Sequence, residues 1–264
     1  SYNRAIFMAH IISVVNQKGG VGKTTTALNL AAFLAELGKF VLLVDLDPQA
    51  NATSGLGIDH QVLEDSIYDG IVGNKSIKEL VYATDHEGFR IIPAHANLAG
   101  VNVELVDQTD REWFLHKALL EIRNDYDFIV IDNPPSLGIL TLNGIVAADS
   151  VLIPVQAEYY ALEGLGQLLN TVNLVKQNIK PELEVMGAVI TMFDSRTKLS
   201  GDVLNELYQH FPNRIFRSVI PRSVRLAEAP SFGKTILGYD PKSKAAKAYE
   251  RLAREFIMRE EGLL

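Results

Sequence analysis

Short apolar runs alternate with amphipathic stretches along this 264-residue chain. The apolar runs are typical of buried parallel strands and cover residues 11–15, 40–45, 89–93, 127–132, 148–156, 184–192 and 215–221. Helical spacing of apolar residues predicts helices over 23–37, 97–123, 159–177, 204–211 and 244–258. Because strands and helices alternate, we expect an α/β fold with a doubly wound, mainly parallel central sheet flanked by helices.

The alternating pattern continues without a break, so we expect a single domain over residues 1–264, with residues 1–9 as a possible extension. Residues 50–57 are predicted to form a loop, and residues 60–85 a variable surface insertion. The length and the 47% hydrophobic content are sufficient for one substantial core.

A glycine-rich stretch separates the first predicted strand from the first predicted helix. Its sequence is Lys18-Gly19-Gly20-Val21-Gly22-Lys23-Thr24-Thr25. Glycines let successive backbone N–H groups turn towards an anion without Cβ clashes, and the positive end of the following helix adds to the attraction. The stretch therefore predicts a phosphate-binding loop, in which Lys23 neutralises the β- and γ-phosphates and the Thr24 hydroxyl binds magnesium.

Aspartates follow two of the predicted strands. Asp45 and Asp47 come at the end of the second apolar run, and Asp132 ends the fourth. Ligands of open α/β sheets bind beyond the carboxyl ends of the strands, which is also the edge where the glycine-rich loop lies. We expect Asp132 to bind magnesium and Asp45 to hold either the magnesium shell or the backbone of the following loop. Capping of a loop is the alternative for these residues.

Composition excludes several classes of protein. The chain has no cysteine, which rules out a disulfide framework, cysteine-ligated zinc or iron–sulfur clusters and a thiol nucleophile. Nothing resembles a signal peptide, and no run approaches the about 20 apolar residues of a membrane span, so we expect a cytoplasmic protein. The net charge of -7 argues against a general nucleic-acid-binding protein.

The charge is unevenly distributed, however. Residues 1–150 contain 10 Lys and Arg against 19 Asp and Glu, whereas residues 151–264 contain 15 against 13. Within this half, the excess of basic residues is larger between residues 193 and 254, with 12 basic against 6 acidic residues. A positive surface of this kind binds duplex DNA without reading its sequence and in a salt-dependent way.

Five motifs together resemble the ParA/Soj partition ATPases, a group of P-loop ATPases with a deviant Walker A loop. The motifs are KGGVGKTT at 18–25, DLDPQ at 45–49, DNPPSLG at 132–138, MFDSRT at 192–197 and IPRSVRLAEAPSFGK at 220–234. The resemblance covers roughly residues 10–257. The nitrogenase iron protein shares the deviant loop but needs cysteines for its cluster, so that relative is excluded.

The resemblance implies further roles. Asp47 would orient the attacking water, and Lys18 would reach the nucleotide of the partner in a homodimer. Met192, Pro221 and Ser223 would line the adenine pocket. The implied cofactors are ATP and Mg²⁺, and the implied activity is slow, magnesium-dependent ATP hydrolysis that a ParB-like partner stimulates.

The resemblance also makes DNA the expected binding partner, with dimerisation doubling the positive surface. The predicted DNA-binding residues are Arg196, Lys198, Arg222, Arg225, Lys234 and Lys242. For each of these residues, an ordinary solvated surface position is the alternative.

Three functions remain open on the sequence. The first is a DNA-partitioning ATPase that coats nucleoid DNA as an ATP-bound dimer. The second is a MinD-like membrane-cycling ATPase, but carboxylates in the C-terminal tail would be repelled by anionic lipid, so we expect no membrane partner. The third is a metabolic ligase or kinase-like enzyme, which would need a second substrate pocket. No motif for such a pocket is found, although residues 57–85 leave room for one.

Overall fold

The protein is described from a computed structural model, in which residues 8–263 are placed. The predicted extension therefore falls outside the described residues as far as Phe7. Ala9 already belongs to the fold, since it is buried and its N–H donates to the Arg123 carbonyl oxygen at 2.9 Å.

A single seven-stranded sheet forms the centre of the molecule, as the alternating pattern predicted. The strands are β1 (His10–Val14), β2 (Val41–Asp45), β3 (Tyr82–Ala83), β4 (Phe89–Ile92), β5 (Phe128–Asp132), β6 (Ser150–Gln156) and β7 (Glu184–Thr191). Their order in the sheet is β3-β4-β2-β5-β1-β6-β7, and every neighbouring pair is parallel except β3 and β4. The predicted doubly wound, mainly parallel sheet is confirmed.

Helices cover both faces of the sheet. They are α1 (Lys23–Glu36), α2 (Asn51–Gly55), α3 (Ile67–Val72), α4 (Val101–Glu104), α5 (Phe114–Leu119), α6 (Ile139–Ala147), α7 (Ala161–Asn178), α8 (Lys198–His210), α9 (Val224–Glu228), α10 (Ile236–Tyr239) and α11 (Lys244–Glu260). Short 3-10 helices span Ile77–Leu80, Ala96–Gly100, Arg111–Trp113, Arg123–Asp125 and Ala229–Phe232. In the part of the chain that is described, no helix combines the length and apolarity that a bilayer crossing requires.

The long helices end where their sequences predict. Helix α1 is followed by Gly38 in the left-handed conformation, with φ of 85°, and the N–H groups of Gly38 and Lys39 donate to carbonyls of the last turn. The predicted helices over 159–177 and 244–258 correspond to α7 and α11. Helix α11 packs Leu252, Ala253 and Phe256 into the core that it shares with α1.

Residues 97–123, predicted as one helix, instead form several short helices. The apolar periodicity is used, because Val101, Leu105 and Leu115 are all buried. A polar stretch over 107–112 interrupts the helical path, however, and Asp110 adopts a left-handed conformation with φ of 54°. The chain turns at this point, so the prediction of a continuous helix was wrong.

The strand predicted over 215–221 forms only isolated bridges to β7 and to Phe193. Most of its apolar residues are buried, but the N–H groups of Arg217 and Ser218 each donate to the Glu255 carboxylate at 2.8 Å. A side chain of α11 therefore replaces the neighbouring strand as the acceptor, and no regular ladder forms here.

Candidate nucleotide-binding site

The glycine-rich loop lies at the carboxyl edge of the sheet and leads directly into α1. Gly20 and Gly22 have φ of 75° and 85°, conformations that glycine adopts without strain. The loop is also fixed from the side, because the Thr191 hydroxyl at the end of β7 donates to the Val21 carbonyl oxygen at 2.7 Å. An ideal Cβ on Gly19 or Gly20 would meet no atom within 4 Å, so the loop borders open space.

Lys23, the first residue of α1, is almost completely buried, with 7% of its surface exposed. Burial lowers the pKa of its ammonium group, whereas the negative charges of Asp132 and Asp47 raise it. The predicted phosphate lysine is therefore held among carboxylates at the foot of the loop. A phosphate arriving at this loop would meet a cation that is already desolvated.

Asp132 and Thr24 are brought together as predicted. The Thr24 hydroxyl donates to Asp132 Oδ2 at 2.8 Å, while Asp132 Oδ1 is buried and accepts no hydrogen bond from the described residues. Burial and the nearby Asp45 charge raise the pKa of the Asp132 carboxyl well above its usual range. A buried carboxylate oxygen without a donor is suited to a cation or to a water bound to a cation.

Asp45 lies opposite Asp132 in the register of β2 and β5 and is fully buried. Its Oδ2 accepts hydrogen bonds from the Thr53 N–H at 2.9 Å and the Thr53 hydroxyl at 2.7 Å. Its Oδ1 accepts from the Asp47 N–H at 3.2 Å. Burial raises the pKa of Asp45 to about 6, although these hydrogen bonds oppose the shift.

These contacts correct the prediction for residues 50–57. The region was expected to be a loop, but residues 51–55 form α2, which Asp45 holds through Thr53. Of the two roles expected for Asp45, the contact with the backbone of the following segment is present, and the magnesium role stays a prediction. Within residues 8–263, no group of three acidic or histidine side chains is arranged to hold a metal ion without other ligands.

Asp47, the residue expected to orient water, is 6% exposed. Its Oδ1 accepts the Gln49 N–H at 3.0 Å, which closes a tight turn before α2. The charge of Asp47 acts on both Lys23 and Asp132. It thus faces the same small region as the phosphate lysine and the predicted magnesium aspartate.

Lys18, the second lysine of the loop, is exposed and forms an ion pair with Glu158 just beyond β6. Its backbone N–H donates to Asn16 Oδ1 at 3.0 Å. Lys18 therefore lies at the outer rim of the loop, away from the buried Lys23. The exposed side chains of Tyr159 and Tyr160 continue this rim.

The three predicted adenine-pocket residues lie on two adjacent segments after β7. Met192 has φ of 51°, and the Phe193 N–H donates to the Ile220 carbonyl oxygen at 3.0 Å. This bond joins the end of β7 to Pro221. The Ser223 hydroxyl caps α9 by accepting the Leu226 N–H at 3.3 Å. The two segments are neighbours, but the Ser223 hydroxyl is engaged as the N-cap of α9.

Sequence reasoning missed two residues that shape the site. Thr191 supports the loop from β7, as described above. Asn133, the second residue of the DNPPSLG motif, is buried, and its amide donates to the Ser13 hydroxyl at 2.7 Å and to the Val14 carbonyl oxygen at 2.9 Å. Neither role has a local sequence signal, because both depend on contacts between distant strands.

All six predicted DNA-binding residues are exposed. Two of them are held by carboxylates: Arg196 pairs with Asp194 through two hydrogen bonds, and Arg225 lies 3.4 Å from Glu228. The other four, which form no ion pair within residues 8–263, are Lys198, Arg222, Lys234 and Lys242. The basic surface is therefore present but partly neutralised.

Comparison with known proteins gives relatives over nearly the whole chain. A family described as an AAA domain matches residues 9–185. The sporulation initiation inhibitor protein Soj of Bacillus subtilis is 52% identical over 94% of this chain and 98% of its own length. The chromosome partitioning protein ParA of Myxococcus xanthus is 50% identical over 96% of this chain and 89% of its own.

Solved structures agree in fold. A cobyrinic acid a,c-diamide synthase from Mycobacterium smegmatis, with bound ADP and magnesium, has a TM-score of 0.86 at 38% identity and covers 97% of both chains. A putative plasmid partition protein from Borrelia burgdorferi, bound to AMPPNP, has a TM-score of 0.80 at 27% identity over 95% of this chain and 99% of its own. The cell division ATPase MinD of Pyrococcus furiosus has a TM-score of 0.77 at 26% identity, with 97% and 100% coverage. The motifs, the fold and the relatives agree, and the chain belongs to the Soj/ParA family of chromosome-partitioning ATPases.

Proposed function

We propose that this protein is an ATP-dependent DNA-partitioning ATPase that works in the cytoplasm on nucleoid DNA. The observation that carries the proposal is the arrangement of Lys23, Thr24 and Asp132 around the glycine-rich loop, with Asp47 beside them. Relatives of 50–52% identity over nearly the whole chain are named for chromosome partitioning or sporulation control.

The site fits a magnesium-bound nucleotide. The residues expected to hold the phosphates are those of the loop, Lys18 to Thr25, with Lys23 as the buried cation. Thr24 and Asp132 would hold magnesium, for which the unpartnered Asp132 oxygen is the best acceptor. Bound magnesium would neutralise phosphate charge that builds up during hydrolysis.

Hydrolysis in this proposal depends on positioning and charge. Lys23 stabilises negative charge on the phosphates from inside the loop, and Asp47 orients the attacking water. Phosphoryl transfer needs little covalent chemistry from the protein, so these roles suffice.

The position of Lys18 supports a dimer in which each protomer contributes a lysine to the other. Its ammonium lies on the exposed rim and pairs with Glu158 of the same chain, so it contributes little to its own phosphate site. Two protomers that face each other across their nucleotides would exchange these lysines. An isolated protomer would then lack one of the charges and hydrolyse ATP slowly without a partner.

The dimer would present two copies of the basic surface to DNA. Exposed lysines and arginines neutralise phosphates without reading bases, so binding is non-specific and depends on salt. A ParB-like centromere-binding protein would stimulate hydrolysis through its basic N-terminal segment and release the dimer.

The two alternative functions have less support. A MinD-like membrane cycle needs an amphipathic helix with a free apolar face, but α11 buries Leu252 and Phe256 in the core. A small-molecule ligase has a structural neighbour in the synthase from Mycobacterium smegmatis, at 38% identity. The partition proteins are more similar to the chain, at 50–52% identity, which favours the DNA-partitioning function.

The proposal is tested by steady-state ATP turnover with Mg·ATP alone, with a non-specific duplex, and with the duplex plus a synthetic lysine- and arginine-rich peptide. We expect slow turnover alone and clear stimulation only when duplex and peptide are both present. Lys18→Ala should remove the stimulation, whereas Lys39→Ala, a partly exposed lysine after α1, should retain it. Stimulation by a small carboxylic acid, with no effect of DNA and peptide, would contradict the proposal.

A further inference from the structure

Helix α2 is positioned by the nucleotide site. Asp45 holds Thr53 of α2 through two hydrogen bonds, and the turn at Asp47 leads directly into the helix. The residue before the helix, Ala50, is in the left-handed region with φ of 52°, which is unfavourable for a residue with a Cβ. The position of α2 thus depends on contacts at Asp45 and Asp47 that oppose local backbone strain.

The C-terminal end of α2 and the turn after it touch the basic part of the chain. We call residues 222–242 the basic segment, because four predicted DNA-binding residues belong to it. Gly57 and Gly233 meet backbone to backbone: an ideal Cβ on Gly233 would lie 2.7 Å from Gly57 Cα. Nearby, an ideal Cβ on Gly55 would lie 3.8 Å from Pro230 Cβ. No side chain separates the two segments, so a movement of one displaces the other.

A second anchor holds the basic segment to the phosphate-loop helix. Asn29 of α1 is buried, and its Oδ1 accepts the Ile236 N–H at 2.8 Å while its Nδ2 donates to the Thr25 carbonyl oxygen at 2.8 Å. The segment is therefore attached at Ile236 to α1 and at Gly233 to the turn that follows α2. Movement of α2 relative to α1 must therefore reorient the residues between Gly233 and Ile236 and those that precede Gly233.

The residues that would be reoriented are basic and aromatic. Lys234 directly follows Gly233 and is exposed. Phe232 directly precedes it and stacks on Tyr239 with ring centroids 5.1 Å apart, and the Arg225 guanidinium lies 5.9 Å from the Tyr239 ring. A shift at Gly233 therefore reaches Lys234 directly and Arg225 through the two rings.

We propose that the backbone contact between Gly57 and Gly233 transmits the state of the nucleotide from α2 to the DNA-binding surface of the basic segment. The inference rests on the proposed function, because it assumes that this surface binds DNA in a nucleotide-dependent way. It adds the physical connection between the two sites. The close approach is the essential feature, and a side chain inserted at Gly233 separates the two elements.

The test compares two glycine substitutions that differ in one respect. Gly57 and Gly233 both have positive φ, of 78° and 65°, so an alanine is strained at either position. A Cβ on Gly57 would lie 3.6 Å from Gly233 Cα, an ordinary contact, whereas the Cβ of Gly233→Ala must displace the Gly57 backbone. Gly57→Ala is thus a control for backbone strain.

The readout is the ratio of two dissociation constants for a non-specific duplex, one with Mg·ADP and one with Mg·AMPPNP. We expect a ratio of about tenfold or more for the unchanged protein and for Gly57→Ala, and a ratio near 1 for Gly233→Ala with unaltered AMPPNP affinity. A parent-like ratio in Gly233→Ala, or equal loss in both variants, would overturn the inference. A ratio near 1 in the unchanged protein would overturn the proposed function itself.

A second measurement does not depend on the folding of Gly233→Ala. Amide hydrogen exchange of the unchanged protein is followed with Mg·ADP and with Mg·AMPPNP, without DNA. We expect exchange in residues 51–57 and 230–239 to slow together when AMPPNP replaces ADP, with no change in α8. A response in residues 51–57 that does not extend to 230–239 would show that the contact transmits nothing.

Discussion

At the scale of single residues, the buried carboxylates of the site destabilise the nucleotide-free protein. Asp132 and Asp45 are both fully buried and face each other across adjacent strands. One oxygen of Asp132 has no hydrogen-bond partner among the described residues. Buried like charges and an unpaired acceptor destabilise a fold, and they are tolerated where a ligand later uses them.

Replacing Asp132 should therefore stabilise the protein while removing function. Asp132→Asn keeps an oxygen to accept the Thr24 hydroxyl but removes the buried charge. We expect the nucleotide-free variant to melt at a higher temperature than the parent at pH 8. Each kcal/mol of stability gained should raise the melting temperature by about 2–4 °C. Affinity for Mg·ATP should fall. A variant that melts below the parent at pH 8 would show that Asp132 stabilises the apo fold.

The same comparison has a defined pH dependence. The pKa of Asp132 and that of Asp45, at about 6, are raised in the folded state, so folding favours their protonated forms. Their protonation stabilises the parent fully below the unfolded pKa, near 4, and this contribution is lost as the pH rises through the folded values. The parent should gain stability between pH 8 and pH 5, and Asp132→Asn should gain less. Parallel pH profiles would contradict this assignment.

Replacing Asp47 should reduce ATP hydrolysis but leave ATP binding nearly unchanged. With Asp47→Ala we expect near-normal ATP affinity and dimer formation, and turnover reduced by about 10²-fold, since the residue orients the attacking water. The control is Asp59→Ala, because Asp59 Oδ1 accepts the Gln61 N–H at 3.0 Å in the same type of turn but is exposed. If Asp47→Ala turned over ATP at the parent rate, another group would have to orient the water.

At the scale of elements, the phosphate loop depends on a strand that is distant in sequence. The Thr191 hydroxyl at the end of β7 fixes the Val21 carbonyl, which leaves the neighbouring glycines free to present their N–H groups. The loop is thus supported by β7 as well as by β1 and α1. The shape of the site therefore depends on the packing of the whole sheet edge.

Removing this support should weaken nucleotide binding while the fold remains intact. We expect Thr191→Val to raise the Kd for Mg·ATP by about tenfold, because one buried hydrogen bond is lost and the Val21 carbonyl is left unpaired. Thr171→Val is the matched control, since its hydroxyl donates to the Gln167 carbonyl oxygen on the exposed side of α7. Isothermal titration calorimetry measures both affinities. Equal affinities for the two variants would mean that the loop keeps its shape without β7.

Elements with a local signal were predictable, and those formed by distant contacts were not. The runs predicted as strands over 40–45 and 127–132 are largely apolar, and the structure has strands β2 and β5 there. Helix α2 was missed because the carboxylate that holds it, Asp45, precedes it on another element. The segment at 215–221 has a strand-like sequence, but two of its N–H groups, those of Arg217 and Ser218, bond to Glu255, and no local pattern reveals this.

At the scale of the whole molecule, the nucleotide site and the basic surface belong to one connected body. The site was largely predictable, because motifs fix Lys23, Thr24 and Asp132 at the carboxyl edge of a parallel sheet, and topology brings them together. The supporting roles of Thr191 and Asn133 depend on contacts between strands far apart in sequence. The pairing of Arg196 and Arg225 with carboxylates likewise became visible only in three dimensions.

The central claim is that the nucleotide controls DNA binding, and one titration tests it most directly. Affinity for a non-specific duplex is measured over a range of salt concentrations, without nucleotide, with Mg·ADP and with Mg·AMPPNP. We expect binding about tenfold or more tighter with Mg·AMPPNP than in the other two states, and log affinity should fall with log salt by about 0.9 for each phosphate neutralised. Equal affinity in all three states, or no binding in any, would contradict the claim.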